Sequence, residues 1–203
     1  MQMSLLTRRG VIASLSATAG SLWIGGCATR APQTDPKFLR QEVAYDGKYP
    51  PGSIVVDADN HFLYHVQAGG RATRYGVGVG GEGFGWSGTA TIQDKHEWPN
   101  WYPTKEILER KPEIREHLVE LPGGGLGMPG GPENPLGARA LYLYQGKKDT
   151  LYRIHGTNEP WTIGQSVSAG CIRMINDEVV DLYAATPIGT KVVVLPNVVA
   201  RAT

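Results

Sequence analysis

Between Ser53 and Gly80 the chain alternates short apolar runs with turn-forming residues, "SIVVDADNHFLYHVQAGGRATRYGVGVG". The Asp-Asn and Gly-Gly pairs stand where the chain must reverse, so the pattern predicts strand, turn, strand, turn, strand. In the second run Phe62, Tyr64 and Val66 alternate with His61, Leu63 and His65. Side chains on a strand change face at every residue, so the first set predicts an apolar face and the second a mixed one. "SGTATIQDKHEW" (87–98), "ARALYLYQG" (138–146), "TLYRIHG" (150–156) and "GTKVVVLP" (189–196) read as further strands.

Helical signals are few. "PTKEILERKPEIREHLVE" (103–120) is one, broken at Pro112, whose ring clashes with the preceding turn and offers no N–H. "NDEVVDLYAATP" (176–187) is the other, with Asn176 as the N-cap candidate, acidic residues in the first turn and Pro187 as the stop. Between them lies a glycine-proline loop, "LPGGGLGMPGGPENPLG" (121–137). The expectation is a mainly β fold over 53–196, one sheet-built domain with two or three short helices. Residues 28–52 are polar without sustained periodicity and read as a tether; 197–203 read as a tail.

Composition agrees with a turn-rich chain, since 27 glycines and 14 prolines suit strands and loops better than a helical bundle. A net charge of +1, with basic residues never clustered beyond pairs, gives no footprint for nucleic acid. The first 27 residues differ from the rest. Arg8 and Arg9 precede a short apolar stretch that ends in Ile24-Gly25-Gly26-Cys27. This is the build of a secretory leader, too short and too rich in small residues for a comfortable membrane span. The arginine pair resembles a twin-arginine export signal, and the ending resembles a lipobox whose cysteine is acylated. An ordinary secretory signal cut nearby, after Ala28 for instance, has the same composition. The expectation is export to the periplasm or cell envelope, with the protein held on a membrane through a lipid on Cys27.

Lipidation of Cys27 leaves Cys171 without a partner, a lone thiol in an oxidising compartment. Two other chemistries are weaker. "GVGGEG" (78–83) matches the spacing of a dinucleotide fingerprint, but "FGWSGTATI" after it is no helix, and a glycine-rich hairpin fits better. The five histidines lack metal-ligand spacing: His61 and His65 on one strand stand roughly 13 Å apart. No metal or cofactor is expected.

"LYRIHGTNEPWTIGQSVSAGCIRM" (151–174) carries more. His155 closes a strand, and Gly156 lets the chain turn away. Ala169 and Gly170 give the backbone room at Cys171, whose amide with that of Gly170 suits an oxyanion. Arg173, two residues on along a strand, shares the face of Cys171, where a guanidinium lowers a thiol's pKa and grips a carboxylate. The set fits cysteine acyl transfer, although one cysteine and a distant histidine also coincide by chance.

The whole of "HGTNEPWTIGQSVSAGCIRMINDEVVDLY" resembles the signature of the bacterial L,D-transpeptidase catalytic domain, the YkuD domain. "NPLGARALYL" (134–143) and "SGTATIQDKHEWPNWYPT" (87–104) are similar to further parts of that family, so the resemblance covers about 53–195. It implies a mainly β domain that attacks the L-to-D bond between the third and fourth residues of a peptidoglycan stem. It makes Cys171 the nucleophile, His155 the general base, and the Gly156 carbonyl the group that orients His155. Ser168 and Gly170 match the signature, Gly170 as an oxyanion amide, and Arg173 as the substrate or thiolate clamp. Asn158 and Trp161 fall in the spacer as substrate-wall residues. Many relatives have a second histidine where this chain has Ala169. The implied product is a 3–3 crosslink, a protein tethered to the wall (an outer-membrane or lipoprotein acceptor), or, with water, a trimmed stem. A catalytically idle wall-binding lipoprotein is the rival of another class.

Overall fold

The computed structural model describes residues 34–81 and 84–196. Its strands are β1 (Gln41–Ala44), β2 (Ile54–Asp57), β3 (Phe62–Gln67), β4 (Arg71–Gly76), β5 (Val79–Gly80), β6 (Gly88–Glu97), β7 (Val119–Glu120), β8 (Leu126–Gly127), β9 (Arg139–Gln145), β10 (Lys148–His155), β11 (Ser166–Ser168), β12 (Ile172–Arg173) and β13 (Lys191–Val194). Nine of them make one sheet in the order β1-β4-β3-β2-β13-β6-β9-β10-β12. Within it β13 runs parallel to β2 and β12 parallel to β10, and the other pairs are antiparallel. β5 with β11, and β7 with β8, form two small separate ladders.

The long sheet bends back on itself. Gly78, just beyond β4, exchanges two hydrogen bonds of 2.8 and 2.9 Å with Arg173 of β12, the strand at the far end of the order. That closure wraps the sheet around one core. Ile54 and Val56 of β2, Leu63, Ile92, Leu141, Leu143, Ile154 and Val192 are fully buried there, joined by Val179 and Leu182 from α2 (Asn176–Ala185). Each such side chain contributes roughly 1.5–3 kcal/mol by leaving water. The fold is mainly β with few short helices, as the alternation and turn pairs predict.

The helices stop where proline says they should. α1 (Lys105–Arg110) ends before Pro112, and a 3-10 turn, Pro112–His117, follows it. At the end of α2 the carbonyls of Tyr183 and Thr186 accept from Lys95 Nζ of β6 at 2.6 Å each, beside the Thr186 amide that reaches back to Tyr183.

Three expectations change. On β3 the core-facing residue is Leu63, not Phe62 or Tyr64. Those two rings lie on the other face, 5.6 Å from Phe38 and 5.8 Å from Tyr45 respectively, so the strand is covered on both sides. The cover comes from residues expected to be tether. Pro36–Phe38 forms a 3-10 turn, β1 pairs antiparallel with β4, and the Arg40 amide donates to Glu178 of α2 at 2.7 Å. A buried phenylalanine and a ladder of edge hydrogen bonds hold the arm, so the folded unit includes residues well before Ser53. Asn176, finally, is the first residue of α2; Ile175 stands at the N-cap, with no side-chain cap bond. Cys27 and the tail 197–203 lie outside the described residues.

Candidate active site

β10 and β12 are parallel neighbours with Ile154 opposite Ile172 and His155 opposite Arg173. Both isoleucines are buried in the core, which fixes the register and turns the next residue of each strand to the other face. Cys171 immediately precedes β12 and shares the parity of Arg173. His155, Cys171 and Arg173 line one cleft of about 1020 Å³, together with Ser168, Asn158 and Glu159.

His155 is 4% exposed. Its Nδ1 lies 2.5 Å from the Gly156 carbonyl oxygen, which only accepts, so Nδ1 carries the proton and Nε2 has the free lone pair. Burial pushes the imidazole down to about 4, against the Gly156 hydrogen bond and with help from the Arg173 and Arg153 charges. At neutral pH the ring is uncharged.

Cys171 is half-buried. Burial raises its thiol above the ordinary value, outweighing a hydrogen bond from the Arg153 backbone and the charges of Arg153 and Arg173. The expectation that Arg173 sets the thiol's acidity is therefore corrected: its pull is present but desolvation wins. The sulfur is 3.9 Å from the Leu151 carbonyl. Leu151 has φ +65° and sits in a bulge of β10, where Asp149 accepts from the Leu151 amide at 2.8 Å and grips Arg153 at 2.7 and 2.8 Å. A left-handed leucine is a strained conformation, held here by that pair.

Two further assignments change on geometry. The Gly170 amide donates to Ser168 Oγ at 3.1 Å, and Ser168 Oγ donates to the Cys171 carbonyl at 2.6 Å. Ser168 thus ties the Ser168–Cys171 turn together, and the Gly170 amide is engaged rather than open. Beneath the turn lies Gly80, where a Cβ would come within 3.0 Å of the Gly170 Cα, so the glycine run 78–81 serves as a close-packed floor. Arg173 Nη1 is held by Glu159 at 2.8 Å and Thr162 at 3.3 Å, so this end of its fork is not an open carboxylate clamp.

Asn158 is in the cleft, its amide donating to the Glu133 carbonyl at 3.0 Å. Trp161 is 42% exposed and is not among the cleft residues. The sequence reading missed Glu159, Asn134, Trp101 and His117, all of which line the cleft. Neither Trp101 nor His117 carries a spacing that singles it out in the sequence.

Residues 51–194 match the family model described as YkuD, the L,D-transpeptidase catalytic domain. Probable L,D-transpeptidase ErfK/SrfK of Escherichia coli K12 is 31% identical over 156 residues, 75% of this chain and 46% of that protein. Probable L,D-transpeptidase YcfS of the same strain is 34% identical over 149 residues, 70% of this chain and 43% of that protein. The chain therefore spans about half the length of these curated relatives. A Brucella melitensis crystal structure, named as a probable carnitine operon oxidoreductase, is 52% identical, covers 79% of this chain and 96% of its own, and has a TM-score of 0.50. In the present chain the glycine run leads through β5 to β6 and not into a helix, so it lacks the setting of a dinucleotide fingerprint. By the match over most of its length, the chain belongs to the L,D-transpeptidase catalytic domain (YkuD) family.

Proposed function

We propose that the chain is an exported cysteine acyltransferase, an L,D-transpeptidase acting on peptidoglycan stem peptides. One observation carries this reading. His155 and Cys171 open into the same cleft from adjacent parallel strands, with His155 Nδ1 already bound and its Nε2 left to take a proton. The family match and the named relatives support the substrate class. A cleft of about 1020 Å³ has room for a peptide.

The resting pair is uncharged, thiol and imidazole. As the sulfur bonds to the carbonyl carbon of the stem's third residue, the thiol proton passes to His155 Nε2. The imidazolium then gives that proton to the departing amine, D-alanine, as the C–N bond breaks and a thioester remains on Cys171. An incoming amine, from a second stem's diaminopimelate or from a protein, attacks the thioester and loses its proton to His155. Cys171 leaves and recovers its proton. The transient oxyanion is met by the Cys171 amide, which has no hydrogen-bond partner among the described residues. The leader with Arg8, Arg9 and Cys27 supports export and a lipid anchor at the cell envelope.

The test is intact mass spectrometry of the purified chain mixed with a diaminopimelate-containing tetrapeptide. An acyl adduct on Cys171 with a crosslinked dimer is the expected result. Tripeptide alone makes the enzyme a hydrolase, and a folded chain that forms neither adduct nor product overturns the catalytic reading.

A further inference from the structure

We propose that Asn176 is a positioning residue for His155, acting through the Gly156–Thr157 peptide bond; the inference rests on the catalytic reading above. Asn176 Oδ1 accepts from the Thr157 amide at 3.1 Å and from the Ala138 amide at 3.0 Å. The Thr157 N–H belongs to the same planar peptide unit as the Gly156 carbonyl, which receives His155 Nδ1 at 2.5 Å. N–H and C=O of one peptide point in opposite directions, so holding one aims the other. Asn176 therefore sets the direction in which the Gly156 carbonyl meets the imidazole. Hydrogen bonding at the N–H end also polarises the unit and strengthens its carbonyl as an acceptor. The two effects act together to keep the proton on Nδ1 and to leave Nε2 facing its task.

The local packing shows how closely the amide is inserted. A Cβ on Gly156 would come within 2.1 Å of Asn176 Oδ1, and one on Gly137 within 2.2 Å. Both glycines leave room for this oxygen. The oxygen faces two N–H donors, which an amide NH2 could not accept, so the orientation of the side chain is determined. Asn176 does not cap its own helix; its acceptor is spent on the histidine's peptide and on the first turn into β9. The rest of the His155 main chain is held independently, with the Met174 amide on the His155 carbonyl at 2.8 Å and the Gly156 amide on Arg139 at 3.0 Å. Loss of Asn176 thus releases one peptide plane and not the strand.

The experiment compares Asn176→Asp, which keeps an oxygen acceptor, with Asn176→Ala in the full chain. Three quantities are read: the 15N shifts of the His155 ring, the rate of Cys171 acylation by a tetrapeptide, and the melting temperature. Asn176→Ala is expected to convert a single Nδ1–H tautomer into a mixture and to slow acylation by about 10–100-fold with little change in KM, the scale of a small misplacement of a catalytic group. Asn176→Asp is expected to keep the tautomer and to acylate within a few-fold of wild type. Wild-type ring shifts in Asn176→Ala overturn the proposal, whatever happens to stability. If Asn176→Ala does not fold, Asn176→Leu, near in size and without an acceptor, gives the same comparison, and identical ring shifts in the Leu and Asp variants overturn it. The ring shifts need no peptidoglycan substrate, so they separate a failure of this proposal from a failure of the transpeptidase reading.

Discussion

His155 and Cys171 stand on or beside β10 and β12, whose Ile154 and Ile172 are buried in the core, whereas α1 and the Pro112–His117 turn on the facing wall bury no residue. The first wall inherits its precision from the sheet. The second is pinned by hydrogen bonds centred on Asn134, beside the Trp101–Met128 pair and the β7–β8 ladder. Asn134, 1% exposed, has its amide nitrogen within 2.9–3.1 Å of the carbonyls of Pro99, Met128 and Pro129, and its oxygen accepts from Leu136 at 2.8 Å. Reacting atoms tolerate little displacement, so they sit where a shift costs core packing. A wall with few buried contacts opens at low cost.

The largest effect tests the rigid wall. Cys171→Ala should abolish the acyl adduct, and His155→Gln should slow acylation by about 10³-fold or more, since members of a nucleophile–base pair act as a unit. Both variants should melt close to the wild type near pH 7, where the buried histidine is already neutral. A His155→Gln chain that acylates normally would leave the thiol working alone.

A second effect is read against pH. The folded histidine binds its proton only near about 4, while the unfolded one does so near 6.5. Over that window the unfolded chain holds more protons, so stability falls as pH drops from about 6.5 towards 4 and is level above it. The histidine's share at pH 4.5 is ~2–3 kcal/mol. Glu178 works the other way, since burial raises its carboxyl and the folded chain binds that proton more readily. The quantity to measure is therefore the difference in acid slope between the wild type and His155→Gln in denaturant titrations; equal slopes would mean that the ring is not held neutral. Activity should follow the same shifts. With the imidazole lowered and the thiol raised, acylation should be nearly flat from pH 5 to 8, its limits belonging to the pair. Residue types alone suggest a titration inside that range; burial moves both limits outward.

The facing wall is broken at Asn134. Asn134→Ala takes the side-chain donor from the Pro99 and Pro129 carbonyls and the acceptor from the Leu136 amide, while the Met128 carbonyl keeps the Trp101 amide at 2.9 Å, and an unsatisfied buried group costs about 1–3 kcal/mol. Amide exchange over residues 98–136 should accelerate by about tenfold or more, while exchange in β9 and β10 and the alkylation rate of Cys171 stay within about twofold. Equal acceleration on both sides of the cleft would show that the two walls open as one unit.

What the sequence made legible divides along similar lines. The strands of the large sheet were readable because alternation and turn pairs are local, and so was the break at Pro112. His155 and Cys171 could be placed at a strand end and in a turn from local residues, whereas the part of the Gly156 carbonyl came from the family resemblance. The parity of β3 was not readable, because the Pro36–Phe38 turn and β1 cover the face that alternation assigns to the core. Nor were the roles of Gly170 and Arg173. Each depends on a partner chosen in three dimensions, Ser168 Oγ for the first and Glu159 for the second. Asn176 is the clearest case, since a helix-start asparagine reads as a cap and only the fold shows it turned towards the histidine's peptide.

The smallest effect asks how far Arg173 reaches across the first wall. Its guanidinium and the Glu159 carboxylate are 2.8 Å apart, with side-chain exposures of 17% and 34%. While paired, the two charges largely cancel at a distance. Glu159→Gln keeps the shape and an acceptor but removes the countercharge, so the field of Arg173 at Cys171 strengthens and favours the thiolate. Iodoacetamide should then alkylate Cys171 about 2–5-fold faster at pH 8, as a modest fall in thiol pKa requires. Acylation by a tetrapeptide should change less, because the proposed mechanism draws its thiolate from proton transfer to His155 and not from the free ionisation. An unchanged alkylation rate would mean that Arg173 shapes the turn but does not tune the sulfur, leaving its acidity to burial and to the Arg153 backbone.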